Sequence, residues 1–223
     1  MIVNPQRDGW EIIYHRAHAL LAAQFALAWD NPKQVLRIPE TIAAIAQHDD
    51  LEREFHGDHL SPQGAPLDFT LMPGSLDDTT SWEQLMEDAL YRSRWVAVLT
   101  AMHIAFLHAP SHGQSRTLDA FLGGLERQRR VWLKALGVTL KQAYAAYAFM
   151  QWCDRISLIC CNHELPDRER WLEVGVGPDG RRYDRAAARR PDGRGHAVAV
   201  RHRSVHRHHR YRAPRPAGVH RQG

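Results

Sequence analysis

The last part of the chain lacks the residues that build hydrophobic cores. Residues 181–223 contain no Leu, Ile, Met, Phe or Trp, whereas they hold 13 Arg and six His. Such a segment cannot bury enough apolar surface to offset the entropy lost on ordering. Any core must therefore come from residues 1–180, where acidic residues outnumber basic ones although the whole chain has a net charge of +4. We expect one helical domain over residues 1–183 and a disordered Arg/His-rich tail over residues 184–223.

Three interpretations of this tail stay open. Its mixture of Arg, Ala, Pro, Gly and His is typical of a GC-rich coding region read out of frame, and the use of 26 Arg against three Lys indicates GC-rich coding. A frameshifted or otherwise altered C-terminus is the interpretation we favour. The alternatives are a basic arm that binds nucleic-acid phosphates and a His tract that binds metal. Nucleic-acid binding predicts a salt-dependent association that disappears when residues 184–223 are deleted.

The composition excludes several classes of protein. With 44% hydrophobic and 24% charged residues, the chain is neither collagen-like nor disordered throughout. Its three cysteines are too few for a disulfide framework and indicate reduced thiols in a cytoplasmic protein. The longest nearly apolar run, residues 17–29, is too short to span a bilayer, and the N-terminus lacks the pattern of a secretory signal. We therefore expect no membrane association.

Hydrophobic periodicity predicts a mainly α-helical bundle. The predicted helices cover residues 15–29, 39–50, 81–91, 95–108, 117–136 and 140–161. Capping boxes at Ser81 and Thr139 open the helices over residues 81–91 and 140–161. Gly137 ends the helix over residues 117–136. A turn at Asp8-Gly9 predicts a short N-terminal β-hairpin, and residues 171–174 predict a little C-terminal strand.

Five polar residues lie on helix faces that are otherwise apolar. They are one His in the first helix, an adjacent His-Asp pair in the second, a His in the fourth and an Asp in the last: His18, His48, Asp49, His103 and Asp154. A buried carboxylate without a partner is costly, so such groups are normally paired or bound to metal. If these residues meet, they form a mixed nitrogen and oxygen ligand set that suits a divalent ion such as Mn, Fe, Zn or Mg. Such an ion activates water for attack on a phosphoester.

Each of these residues also has an ordinary interpretation. His18 or His103 could be a core histidine bonded to backbone, and Asp154 could pair with an arginine such as Arg155. The segment His48-Asp49-Asp50 could end an exposed helix. The alternative to an enzyme is therefore a non-catalytic helical module that binds a ligand or a protein and keeps a vestigial polar cluster.

The order His, His-Asp, His, Asp across four helices resembles the HD-domain superfamily of metal-dependent phosphohydrolases. The resemblance implies an HD-like helical bundle and a small phosphorylated substrate. It implies that His18, His48, Asp49 and Asp154 hold the metal. It also implies that His103 is a further ligand or contacts the leaving phosphate.

Two supporting roles follow from these assignments. Asp50 could orient His48 by accepting a hydrogen bond from the ring N–H that does not face the metal. Histidine ligands usually donate this N–H to a carboxylate or a carbonyl, here called an outer acceptor. Arg53, Arg155 or Lys134 could neutralise the charge of a phosphate, and the sequence does not select among them.

A closer resemblance covers roughly residues 1–184. The segments that carry it are Gly9-Trp10, residues 18–22, His48-Asp49-Asp50, residues 62–69 and residues 154–161. Together they resemble a bacterial family known as domain of unknown function 3891. Its name implies no activity. The resemblance implies a C-terminal stretch with strand character, which the Arg/His-rich tail replaces from about residue 184.

Overall fold

Most of the described chain is helical. The computed structural model describes residues 1–29, 35–50, 59–69, 75–164, 172–177, 180–189 and 196–202, with the backbone alone from residue 184 onward. The helices are α1 (His15–Leu27), α2 (Ile38–Gln47), α3 (Thr80–Arg92), α4 (Arg94–Leu107), α5 (Arg116–Leu136) and α6 (Leu140–Cys161). The strands are β1 (Ile2–Gln6), β2 (Gly9–Ile13), β3 (Leu172–Val176), β4 (Arg182–Arg189) and β5 (His196–His202). The predicted mainly α-helical class is confirmed.

The C-terminal strands form a larger sheet than the single short strand predicted. They pair antiparallel in the order β3-β4-β5, and β4 and β5 run in register from Tyr183 opposite His202 to Arg189 opposite His196. Strand β4 therefore spans residue 184, where the composition predicts the tail to begin. Residues 203–223 lie outside the described residues, and the frameshift remains a prediction about the gene.

The N-terminal hairpin is attached to the end of α6. Strands β1 and β2 pair from Ile2 opposite Ile13 to Gln6 opposite Gly9, as predicted. Gly9 has φ of 155°, a conformation that residues with a Cβ rarely adopt. The side-chain amide of Asn4 donates to the carbonyl of Cys161 over 2.7 Å. This bond ties the hairpin to the helix that carries Asp154.

Helix α4 forms the centre of the core. Every residue from Trp95 to Ile104 is buried, as expected for a helix that is apolar on all sides. It packs against α2, α3, α5 and α6. The indole of Trp95 donates to the hydroxyl of Thr41 over 2.9 Å, which fixes α4 against α2. The buried face leaves the core in the last turn of α4, where Phe106 is 54% exposed.

Two helix ends differ from the sequence-based expectation. Helix α2 ends at Gln47, so His48 and Asp49 lie in the turn that follows it and not in its last helical turn. Helix α3 begins at Thr80 without the predicted Ser81 capping box, because the carboxylate of Asp78 accepts the N–H of Thr80 instead. The predictions for the other two helix ends hold: Gly137 ends α5 in the left-handed conformation, and Thr139 and Gln142 form a capping box on α6.

Two features of the described residues bear on the class of protein. Cys153, Cys160 and Cys161 are not joined in disulfide bonds. No helix in the described part of the chain combines the length and the apolar character needed to cross a bilayer. A cytoplasmic location remains an expectation from the sequence.

Candidate metal centre

The five polar residues predicted to converge do meet, at the place where α1, α2, α4 and α6 pack together. We call them the His/Asp cluster: His18 from α1, His48 and Asp49 from the turn after α2, His103 from α4 and Asp154 from α6. The three imidazoles are buried, each 2% exposed or less. The carboxylates of Asp49 and Asp154 keep 23% and 17% of their side chains exposed. Solvent therefore reaches the cluster from its carboxylate side.

Two imidazoles and two carboxylates share one small volume. Nε2 of His18 lies 2.7 Å from Oδ2 of Asp49 and 3.7 Å from Oδ1 of Asp154. Nε2 of His48 lies 3.2 Å from Oδ1 of Asp154 and 3.7 Å from Oδ2 of Asp49. Each nitrogen thus faces both carboxylates, although the four residues come from three separate parts of the chain.

The ring of His48 is oriented by the backbone of α2, the helix that precedes it. Nδ1 of His48 lies 2.6 Å from the carbonyl oxygen of Ile45. A carbonyl can only accept, so Nδ1 carries the proton and donates. In the neutral ring, the lone pair is then on Nε2, which faces the carboxylates. This is the tautomer that metal-binding histidines adopt, with the second ring nitrogen bonded to an outer acceptor.

Charge within the cluster changes the pKa values of its members. Burial lowers the pKa of His48, but the carboxylates of Asp49 and Asp154 outweigh it and raise the pKa to about 9. Burial would raise the pKa of Asp49, yet His48 and His18 hold it well below its usual range. The carboxylates therefore attract positive charge to the nitrogen atoms that face them.

His103 completes the cluster from the side of α4. Its Nδ1 lies 3.3 Å from the hydroxyl of Tyr147, and its ring lies edge-on to that of His48, with 5.1 Å between ring centroids. Burial, and then a positive charge on His48, lower the pKa of His103 to about 4. His103 is therefore neutral near pH 7, and one of its nitrogens can act as a ligand or as a hydrogen-bond donor.

The separations between the ligand atoms fit a divalent ion. Metal–ligand bonds of about 2.0–2.3 Å place two ligand atoms of one ion at most about 4.6 Å apart. Two overlapping groups have all their ligand atoms within 4.8 Å of one another, close to this limit, and could hold a metal ion: His18 with His48 and Asp49, and His48 with His103 and Asp154. The donor types and their spacing together fit a metal site.

The predicted role of Asp50 is not supported. Its carboxylate lies 2.8 Å from Nε of Arg16, in an ion pair near the surface. The outer acceptor of His48 is the Ile45 carbonyl instead, because the turn after α2 brings Nδ1 back over the last helical carbonyls. Asp50 thus flanks the His/Asp cluster without bonding to its imidazoles in the contacts described.

The basic residues proposed for phosphate binding are Arg155, Lys134 and Arg53. Arg155 donates to the carbonyl of Glu173. Lys134 is on α5, which contributes no residue to the cluster. Arg53 lies outside the described residues. None of these three is placed beside the cluster by a described contact.

Two buried residues that sequence reasoning did not assign also contact the cluster. The hydroxyl of Ser157 lies 2.7 Å from Nδ1 of His18, and the hydroxyl of Tyr147 contacts His103. Ser157 follows Asp154 by three residues on α6, so it projects from the same side of the helix. A polar residue at this spacing inside an apolar stretch was the available signal for an outer partner.

Comparison with known proteins identifies a family without a stated activity. A family model described as "Protein of unknown function (DUF3891)" matches residues 1–198, which include the whole His/Asp cluster and extend past residue 184. A search of curated proteins and a search of solved structures gave no match. The chain therefore belongs to the DUF3891 family, as the resemblance in its sequence predicts.

Proposed function

We propose that this protein binds a divalent cation in the His/Asp cluster and hydrolyses a phosphoester of a small molecule. The observation that carries the proposal is the convergence of Nε2 of two buried histidines, His18 and His48, on the same two carboxylates. His18, His48, Asp49 and Asp154 would hold the cation. Two imidazoles in the donor set favour Mn, Fe or Zn over Mg.

A simple ion pair would not require so many groups. One imidazolium and one carboxylate satisfy each other, whereas here two carboxylates face two imidazoles and a third imidazole lies against the second. Buried polar groups are costly unless each has a partner. A cation placed among these atoms would accept the Nε2 lone pairs of His18 and His48 and would neutralise both carboxylates.

The substrate class follows from what the site offers. A divalent cation supplies Lewis-acid activation of a phosphoryl group and of the attacking water. The partly exposed carboxylate side leaves an approach for a small substrate. His103, neutral near pH 7, would contact a phosphoryl oxygen through a ring nitrogen without adding charge. The order of the five residues along the chain, which resembles that of HD-domain phosphohydrolases, supports the same class of reaction.

Metal content tests the binding half of this proposal. Purified protein should hold about one equivalent of Mn, Fe or Zn by elemental analysis, and the double variant His48→Ala, Asp49→Ala should lose it. The chain offers a matched control in His112 and Asp119, an exposed pair whose side-chain atoms lie 3.7 Å apart. His112→Ala, Asp119→Ala removes the same two side chains and should keep the metal. Equal metal content in both double variants would refute the site.

Turnover of phosphoesters tests the chemical half. A panel of phosphomonoesters and phosphodiesters should show at least one substrate whose hydrolysis stops with a chelator and returns with Mn²⁺. A protein that holds its metal but turns over none of them would instead be the non-catalytic module that is the alternative from the sequence.

A further inference from the structure

A second contact joins the same two elements as the contact between His18 and Asp49. Arg16 is in the first turn of α1, two residues before His18, and Asp50 follows Asp49 in the turn after α2. Nε of Arg16 lies 2.8 Å from Oδ1 of Asp50, in the ion pair described above. The junction between α1 and this turn therefore holds one contact inside the His/Asp cluster and one next to it.

Exposure increases from the buried contact to the ion pair. The side chain of His18 has no exposed surface and that of Asp49 is 23% exposed, whereas the side chain of Asp50 is 29% exposed and that of Arg16 is 58% exposed. Solvent reaches the His/Asp cluster from its carboxylate side. Arg16 therefore lies at the solvent edge of the junction, where it can contact an incoming ligand.

The ion pair leaves the outer end of the guanidinium available. Arg16 contacts Asp50 at Nε, and it forms no ion pair or hydrogen bond with any other of the described residues. The N–H groups of a guanidinium form a planar fork that can bond two oxygens of one phosphate. A surface ion pair adds little to stability, but it reduces the freedom of a long side chain before a ligand arrives.

An anionic ligand also needs positive charge at this edge. Three carboxylates, those of Asp49, Asp154 and Asp50, lie in or beside the cluster, and each repels a phosphate. The proposed cation would offset the first two, and Arg16 offsets Asp50. Arg155 also follows a predicted ligand in the chain, but it donates to a backbone carbonyl of β3 instead.

We propose that Arg16 is a substrate-binding residue, which bonds two phosphoryl oxygens through Nη1 and Nη2 while Asp50 holds Nε. This inference rests on the proposed function, because it requires a phosphoryl group beside the His/Asp cluster. It also narrows the substrate class. Two oxygens for the guanidinium and one for the cation make three, the number that a phosphomonoester leaves free, whereas a phosphodiester leaves two. Phosphomonoesters should therefore be the preferred substrates.

Binding of inorganic phosphate to the zinc-loaded full chain tests the contact before any substrate is known. Isothermal titration calorimetry of the wild-type protein should show phosphate binding that a chelator abolishes. Arg16→Gln should weaken this binding about tenfold or more, because it removes hydrogen bonds between charged groups. Its affinity for Zn²⁺ should equal that of the wild-type protein, because Arg16 is paired with Asp50, outside the cluster.

Two further variants separate the phosphate contact from other effects of the substitution. Arg16→Lys keeps the charge but not the planar fork, so it should recover only part of the phosphate affinity. Complete recovery in Arg16→Lys would overturn the two-oxygen contact. Arg130→Gln is the matched control, because Arg130 is 74% exposed and forms an ion pair with Glu126 on α5, which contributes no residue to the cluster. It should bind phosphate like the wild-type protein.

The panel of phosphoesters tests the substrate class. For a given alcohol group, the wild-type protein should hydrolyse the phosphomonoester with a higher kcat/KM than the phosphodiester. Arg16→Gln should lose more activity on the phosphomonoester than on the phosphodiester. A wild-type preference for phosphodiesters would overturn this assignment.

The outcomes distinguish this inference from the proposed function. If the wild-type protein holds Zn²⁺ and binds phosphate but Arg16→Gln binds it equally well, the role of Arg16 is refuted and the cation site stands. Phosphate that binds equally well in chelator is bound outside the cluster and refutes the role of Arg16 too. If the wild-type protein holds Zn²⁺ and binds no phosphate, phosphoester hydrolysis fails and the role of Arg16 fails with it. If it holds no Zn²⁺, the cation site fails first.

Discussion

Nε2 of His18 lies 2.7 Å from Oδ2 of Asp49, although 31 residues separate the two along the chain. The contact joins the first turn of α1 to the turn that follows α2, and these two helices pack against each other directly. His18 has no exposed surface, so the carboxylate is the only one of the two groups that solvent can reach. Asp49, together with Asp154, supplies the negative charge that faces the buried imidazoles.

Asp49→Asn should abolish strong metal binding while leaving the fold intact. The amide has nearly the shape of the carboxylate but removes the negative charge that faces His18 and His48. We expect the affinity for Zn²⁺ to fall by more than the roughly 10–100-fold typical of outer partners, measured by competition with a chromophoric chelator. Asp119→Asn, in the first turn of α5 and outside the His/Asp cluster, serves as the control and should bind Zn²⁺ like the wild-type protein. An Asp49→Asn variant that also matched wild type would remove Asp49 from the ligand set.

The stability of the metal-free protein should depend on pH with a defined sign. The pKa of His48 rises from 6.5 to about 9 on folding, so its contribution is complete below pH 6.5 and is lost as pH rises through 9. The pKa of Asp49 is lowered, so its contribution is present above its ordinary value of 3.8 and is lost as pH falls further. His103 acts in the opposite direction, because burial lowers its pKa to about 4 and the folded protein loses stability as pH falls from 6.5 towards 4. Melting temperatures in chelator should therefore be highest near pH 6.5 and decline from there towards pH 9 and towards pH 4.

Bound metal should change this profile. A cation competes with the proton for Nε2 of His48, so the stabilisation that it gives should grow as pH rises through the same window. Melting curves with and without Zn²⁺ measure the difference. In chelator, the melting temperature of His48→Gln should decline less above pH 6.5 than that of the wild-type protein. If the melting temperature of this variant declined as steeply as that of the wild type, another group would be responsible for the decline.

The Arg16–Asp50 ion pair should contribute little to either stability or metal binding. The pair is at the surface, with side chains 58% and 29% exposed. Pairs of this kind contribute about 0–1 kcal/mol. Asp50→Asn should therefore change the free energy of unfolding by less than about 1 kcal/mol and leave the Zn²⁺ affinity unchanged, because the Ile45 carbonyl orients His48. A tenfold or greater loss of affinity, about 1.4 kcal/mol, would restore Asp50 as an orienting residue.

The convergence of the His/Asp cluster could be predicted because burial leaves few options for polar residues on apolar faces. In the sequence, His18, His103 and Asp154 lie on apolar helix faces, and Asp49 ends the apolar stripe of the second helix with His48 beside it. The hydrogen-bond partners could not be predicted in the same way. Asp50 looked like the orienting residue of His48 because it is close in sequence, whereas the turn after α2 directs Nδ1 to a backbone carbonyl that carries no sequence signal.

The ends of elements were the other source of error, for a related reason. Ser81 has the sequence spacing of a capping box. Asp78, further upstream, accepts the N–H of Thr80 instead, and α3 therefore begins at Thr80. The C-terminal residues are poor in large apolar side chains, which predicts disorder. Antiparallel pairing of β4 with β5 instead satisfies their backbone groups without requiring a large apolar side chain at each position.

His103→Gln should separate metal binding from turnover. His103 is buried beside His48, and its lowered pKa, about 4, keeps it neutral over the range in which the enzyme would work. A neutral donor to a phosphoryl oxygen stabilises charge that develops during the reaction, and removing one such donor typically costs about 10²–10³-fold in kcat. We expect His103→Gln to keep its metal and lose activity to this extent, with little change in KM, on a phosphoester identified by the substrate panel. His112→Gln changes a histidine that lies between α4 and α5 and is 78% exposed, and it should retain full activity. If His103→Gln lost its metal as well as its activity, His103 would be a metal ligand, since a residue that contacts only the substrate is not needed to hold the metal.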